Sequence, residues 1–60
     1  MSMSDDEQMV ADCEARESRL TEWEADFIQS LRERIDAGRG VTDRQAEMLD
    51  RVWTRVTHKG

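Results

Sequence analysis

Leu20-Thr21-Glu22-Trp23-Glu24-Ala25-Asp26-Phe27-Ile28 and Val41-Thr42-Asp43-Arg44-Gln45-Ala46-Glu47-Met48-Leu49 are two versions of one pattern. They align without a gap at an offset of 21 residues, and the register runs on, with Leu31 over Val52 and Ile35 over Val56. Each version opens with a capping box, Thr21 with Glu24 and Thr42 with Gln45. In such a box the threonine hydroxyl accepts from an orphan backbone N–H, and the Glu or Gln side chain reaches back to the cap's own N–H. An apolar residue precedes each cap (Leu20, Val41) and an alanine follows at the fourth helical position (Ala25, Ala46), the arrangement of a small hydrophobic staple. Glu22, Glu24, Asp26 and Asp43 suit the positive end of a helix dipole. Gly38 and Gly40 supply the positive-φ positions that a helix stop and a tight turn need.

The apolar spacing agrees with helices over about Glu22 to Ala37 and Asp43 to Thr57. Leu20, Trp23, Phe27, Ile28, Leu31 and Ile35 fall on one side of the first arm, and Val41, Met48, Leu49, Val52 and Val56 on one side of the second. Two amphipathic helices joined by Gly38-Arg39-Gly40 must pack antiparallel. Opposite the apolar faces run polar stripes: Glu22, Asp26, Gln29, Glu33 and Asp36 on the first arm, Asp43, Glu47, Asp50, Thr54 and Thr57 on the second.

Residues 4–17 read as a short helix. Ser4 with Glu7 is a third capping box, Asp5 and Asp6 fill the first turn, and Met9, Val10 and Cys13 can be laid on the hairpin. The alternative is a frayed acidic tail, because isolated helices of this length are marginal without tertiary packing. Ser18 and Arg19 form a link, Met1 to Met3 are loose, and His58-Lys59-Gly60 is a cationic tail. The expected fold is therefore all-α: a short N-terminal helix packed on an antiparallel helical hairpin, three helices in one small domain. At 60 residues a lone hairpin is too thin to hold itself together. It needs the third helix, a second copy of itself as a homodimer, or a partner.

Composition excludes several functions. No run of 18 apolar residues is present and the N-terminus lacks an apolar signal core, which points to the cytoplasm and away from membranes. One cysteine (Cys13) cannot form an internal disulfide, and with one histidine (His58) it cannot assemble a structural zinc site, so no metal or cofactor is expected. Cys13 reads as a small core hydrophobe and His58 as a solvated tail residue. Neither has the base, oxyanion donors or third residue that nucleophilic catalysis needs, so the chain does not read as an enzyme. The net charge is −5. It divides unevenly, with −7 over residues 1–26 and +2 over residues 27–60. Such a field disfavours nucleic acid and favours a protein partner with a basic surface.

Three groups of residues remain as candidates. Asp5, Asp6, Glu7, Asp12, Glu14, Glu17, Glu22, Asp26, Glu33 and Asp36 are either an ordinary solvated surface or a row of negative groups that imitates a phosphate backbone. Carboxylates one helical turn apart are spaced about 5–6 Å, of the order of phosphates along a strand. Trp53 lies at the rim of its apolar face, either as cover for the first helix or as an exposed anchor for a partner. Trp23 carries the same ambiguity. Arg44, Arg51 and Arg55 share an edge and are expected to pair within their helix with Glu47, Asp50 and similar neighbours. The other reading of them is a weak phosphate-binding stripe.

The set Leu20-Thr21-Glu22-Trp23-Glu24, Phe27-Ile28, Gly38-Arg39-Gly40-Val41-Thr42, Arg44-Gln45 and Leu49 resembles a short helical hairpin of small phage and prophage proteins, over residues 20–56. A free-standing acidic helical protein of this size also resembles the anti-CRISPR proteins. That resemblance implies a non-enzymatic inhibitor in the host bacterial cytoplasm that blocks the DNA-binding surface of a CRISPR surveillance complex. No functional residue is carried over by motif. The hairpin resemblance alone implies an accessory docking or phosphate-binding module in phage DNA metabolism.

Overall fold

The computed structural model describes residues 5–58, and among them the chain is all-α. Helix α1 spans Asp5–Ala15, α2 Glu22–Asp36 and α3 Asp43–Thr57, with one 3-10 turn at Glu17–Arg19. Ser4, Met1 to Met3 and Lys59-Gly60, of which a cap, a loose start and a tail were expected, lie outside the described residues. The first helix ends at Ala15 rather than near Glu17. Arg16 leaves helical geometry at φ −115°, ψ 35°. Short-range bonds from Arg19 N–H to the Arg16 carbonyl (2.9 Å) and from Leu20 N–H to the Glu17 carbonyl (3.0 Å) then fold the link into a tight corner.

Both capping boxes form, with the same backbone geometry. Thr21 (φ −73°, ψ 167°) and Thr42 (φ −77°, ψ 164°) are extended caps. Their hydroxyls accept from Glu24 N–H (3.2 Å) and Gln45 N–H (3.1 Å), and Glu24 and Gln45 accept the caps' own N–H groups at 2.9 and 3.0 Å. At the far end of α2, Arg39 N–H bonds to the Arg34 carbonyl and Gly38 N–H to the Ile35 carbonyl, both 2.9 Å. This is a Schellman stop, and it needs the left-handed residue that Gly38 provides at φ 77°. Gly40, at φ 70°, turns the chain into the second cap.

The core draws on all three helices: Val10 and Cys13 from α1, Ile28 and Leu31 from α2, Leu49, Val52 and Val56 from α3. Met9, Leu20, Phe27, Ile35, Val41 and Trp53 pack around it, half-buried. α1 sits against both arms, most closely against α3, while α2 and α3 approach each other less closely than either approaches α1. The short helix is thus more than an addition to the hairpin. Val10 and Cys13 are fully buried, and a buried aliphatic side chain is worth about 1.5–3 kcal/mol relative to an exposed one. The cation expected to pair within α3 instead spans the bundle: Arg55 binds the Glu24 carboxylate on α2.

The 21-residue repeat governs contacts as well as caps. Arg32 and Trp53 are repeat mates, and both reach to α1. Arg32 donates to Glu14 Oε1 and Oε2 (2.7 and 3.1 Å), and Trp53 Nε1–H donates to Asp12 Oδ2 (3.0 Å). Arg34 and Arg55 are also mates, and so are the carbonyls they bind. Arg34 Nε–H donates to Gly40 O and Arg55 to Arg19 O, each at 3.0 Å, in each case two residues before the opposite helix's cap. The two arms therefore make equivalent contacts, an approximate twofold relation in which Arg32 and Trp53 both face α1.

Candidate interaction surface

The carboxylates sort into those the fold uses and those it leaves open. Asp12 is half-buried and held by Trp53 and by Gln8 Nε2 (3.1 Å). Glu14 is the bidentate partner of Arg32, and Asp36 lies 3.8 Å from the same guanidinium. The Glu14 hydrogen bond raises Arg32 above its ordinary value, with Asp36 and Glu7 contributing charge. Glu24, absent from the sequence-based candidates, is engaged as well, with 13% of its side chain exposed. The Thr21 backbone N–H foremost, and the Arg55 guanidinium after it, hold its carboxyl below the usual range against the opposing effect of burial.

Asp5, Glu17, Glu22, Asp26 and Glu33 are exposed and form no ion pair among the described residues. Asp6 and Glu7 are half-buried in the first turn of α1. Glu22, Asp26 and Glu33 stand on one outer stripe of α2, with Asp26 about 6 Å along the axis from Glu22 and Glu33 about 10 Å further on. Beside this stripe lies an open groove of about 320 Å³, lined by Glu14, Glu17, Leu20, Ala25, Ile28 and Gln29. Its floor is apolar and its rim acidic.

Trp53 is half-buried against the core and directed at α1, so it occupies the covering position. Arg44 and Arg51 are exposed and form no ion pair among the described residues, so the expected pairs with Glu47 and Asp50 are not made. Cys13 is buried, and burial, with the neighbouring Asp12 charge, pushes its thiol up to about 11. His58 is exposed and closes α3 through its N–H on the Thr54 carbonyl (3.1 Å). Among the described residues no group of three or more His, Cys, Asp or Glu could hold a metal ion, and no helix is long and apolar enough to cross a membrane.

The fold and surface define a small three-helix protein with an internally repeated hairpin and an open acidic stripe. No protein-family model, curated protein or solved structure matches the chain.

Proposed function

We propose that this protein is a non-enzymatic binding protein whose acidic α2 stripe occupies a basic, nucleic-acid-reading surface on another protein and blocks it. The observation that supports this reading is the division of the carboxylates. Asp12, Glu14 and Glu24 are engaged within the fold, whereas Glu22, Asp26 and Glu33 face solvent without a counter-ion among the described residues, beside a groove with apolar lining and the exposed Glu17 at its edge. A surface that reads phosphates with Lys and Arg meets in this stripe the charge it would meet on a strand. The target class is an RNA-guided defence complex of a bacterial host, and the protein is its phage-borne inhibitor.

The test is a gel-shift assay of target DNA binding by such a complex, with the protein as competitor. Wild type should prevent the shift, and Glu22→Lys/Asp26→Lys/Glu33→Lys should not, at unchanged helicity by circular dichroism. Undiminished inhibition by the triple variant would remove the stripe from the mechanism.

A further inference from the structure

α1 covers one side of the hairpin and leaves the other bare. Trp23 stands nine residues before Arg32, and Arg44 nine before Trp53. At about 100° per residue, each therefore lies half a turn around its helix from the side chain that holds α1. The twofold relation of the arms puts Trp23 and Arg44 on the same bare side. There Trp23 is the one large apolar side chain exposed among the described residues, at 56%, and its ring stacks on Phe27 at 5.4 Å with an interplanar angle of 4°. Met48, the repeat mate of Phe27, is half-buried. Arg44 and Arg51 stand along the same side, exposed and unpaired among the described residues. Arg34 and Arg55 share their row but are held by the Gly40 carbonyl, and by Glu24 and the Arg19 carbonyl. In a chain of net charge −5 this side is locally basic and aromatic.

We infer that the bare side of the hairpin is a second docking surface, for an acidic amphipathic helix of a partner protein. Charge selects the occupant. Arg44 and Arg51 lie two turns apart, about 10 Å along α3, which matches carboxylates at positions i and i+7 of a facing helix. A leucine or phenylalanine on that helix covers the Trp23–Phe27 stack, an apolar anchor of the kind that carries most of an interface's binding energy. From the level of Trp23 to Arg44 the side runs about 18 Å, or twelve residues of helix. A second copy docked through its own bare side would set arginine against arginine. Asp26 and Glu47 stand on the two rims, so an occupant must confine its negative charge to the Arg44–Arg51 line, which a helix with two carboxylates on one face does and a strand charged at every nucleotide does not.

The inference is independent of the acidic stripe and is tested separately from it. A displayed library of helix-forming 16-residue peptides is panned on the immobilised full chain. The enriched peptides are then measured by fluorescence anisotropy on wild type and on Trp23→Ser/Arg44→Glu/Arg51→Glu. These three positions are exposed, and the variant's melting curve verifies its fold. If it melts early, Arg51→Glu alone takes its place. A labelled oligo-dT of 20 nucleotides is titrated in parallel. The expected result is enrichment of acidic amphipathic sequences that bind the variant at least tenfold more weakly, with no binding of oligo-dT. Three results would overturn the inference: enrichment of basic sequences that bind the variant normally, no enrichment at all, or oligo-dT binding that the variant loses. The first would assign recognition to the acidic stripe and the last would assign the bare side to nucleic acid.

Discussion

Replacing Trp53 by Phe removes one donor from the seam between α1 and α3 and keeps an aromatic ring in place. The lost contact is the 3.0 Å hydrogen bond from Trp53 Nε1 to Asp12 Oδ2. A hydrogen bond to a charged group is worth about 1.5–3 kcal/mol when well buried. Both partners here are half-buried, so water screens the carboxylate and the contribution falls to about 1 kcal/mol. A domain of this size melts about 4–8 °C lower for each kcal/mol lost. The smaller ring also gives up apolar area, so the single variant alone does not isolate the bond. A double-mutant cycle does: Trp53→Phe, Asp12→Ala and the pair, each melted thermally and in urea. The expected coupling is about 1 kcal/mol, within the range found for residues in direct contact. Coupling below about 0.3 kcal/mol would show that α1 is not docked through this contact, and would return Asp12 to the open acids.

The repeat predicts equal penalties at its two starts: Thr21→Ala and Thr42→Ala should each cost about 1 kcal/mol in urea melts, and a silent result at either would break the equivalence. Glu24, with its carboxyl held low in the folded state, contributes stability that is present above the ordinary carboxylate range and lost as pH falls through the folded-state value. Glu24→Gln copies its repeat mate Gln45, so it should keep the cap, lose about 1 kcal/mol or less at neutral pH, and flatten this part of the acid limb of a stability–pH curve. Cys13 should resist iodoacetamide at pH 8 in the native protein and react at least a hundredfold faster in urea. Its thiol is pushed up to about 11, so the stability it contributes is intact below its ordinary value and is lost as pH rises through about 11. Cys13→Ala should remove that alkaline loss.

The two arms of the hairpin were legible because their signals are local. A cap, an acid-rich first turn and a glycine stop act within a few residues, and Thr21, Thr42 and Gly38 do what their spacing implies. The role of α1 was harder to read. Its apolar content is thin, and only the packed structure shows that Val10 and Cys13 close the core between the arms. The partners of the charges were the least legible. Arg55 has acids nearby in its own helix, yet it pairs with Glu24 across the bundle, because the antiparallel packing of the arms brings the end of α3 to the start of α2. The 21-residue offset held a usable signal. Extended beyond the apolar positions, it pairs Arg32 with Trp53 and Arg34 with Arg55, and these mates make equivalent contacts. Composition counted the carboxylates but could not divide them, since Asp12 and Asp26 differ only in what faces them.

The most direct measurement is a pull-down from host lysate with tagged wild type and with Glu22→Lys/Asp26→Lys/Glu33→Lys, washed at low and high salt, the bound proteins identified by mass spectrometry. If the acidic stripe carries the proposed function, wild type retains an RNA-guided complex at low salt and releases it at high salt, and the triple variant retains none. Recovery of the same proteins by both forms, at both salt concentrations, would contradict it.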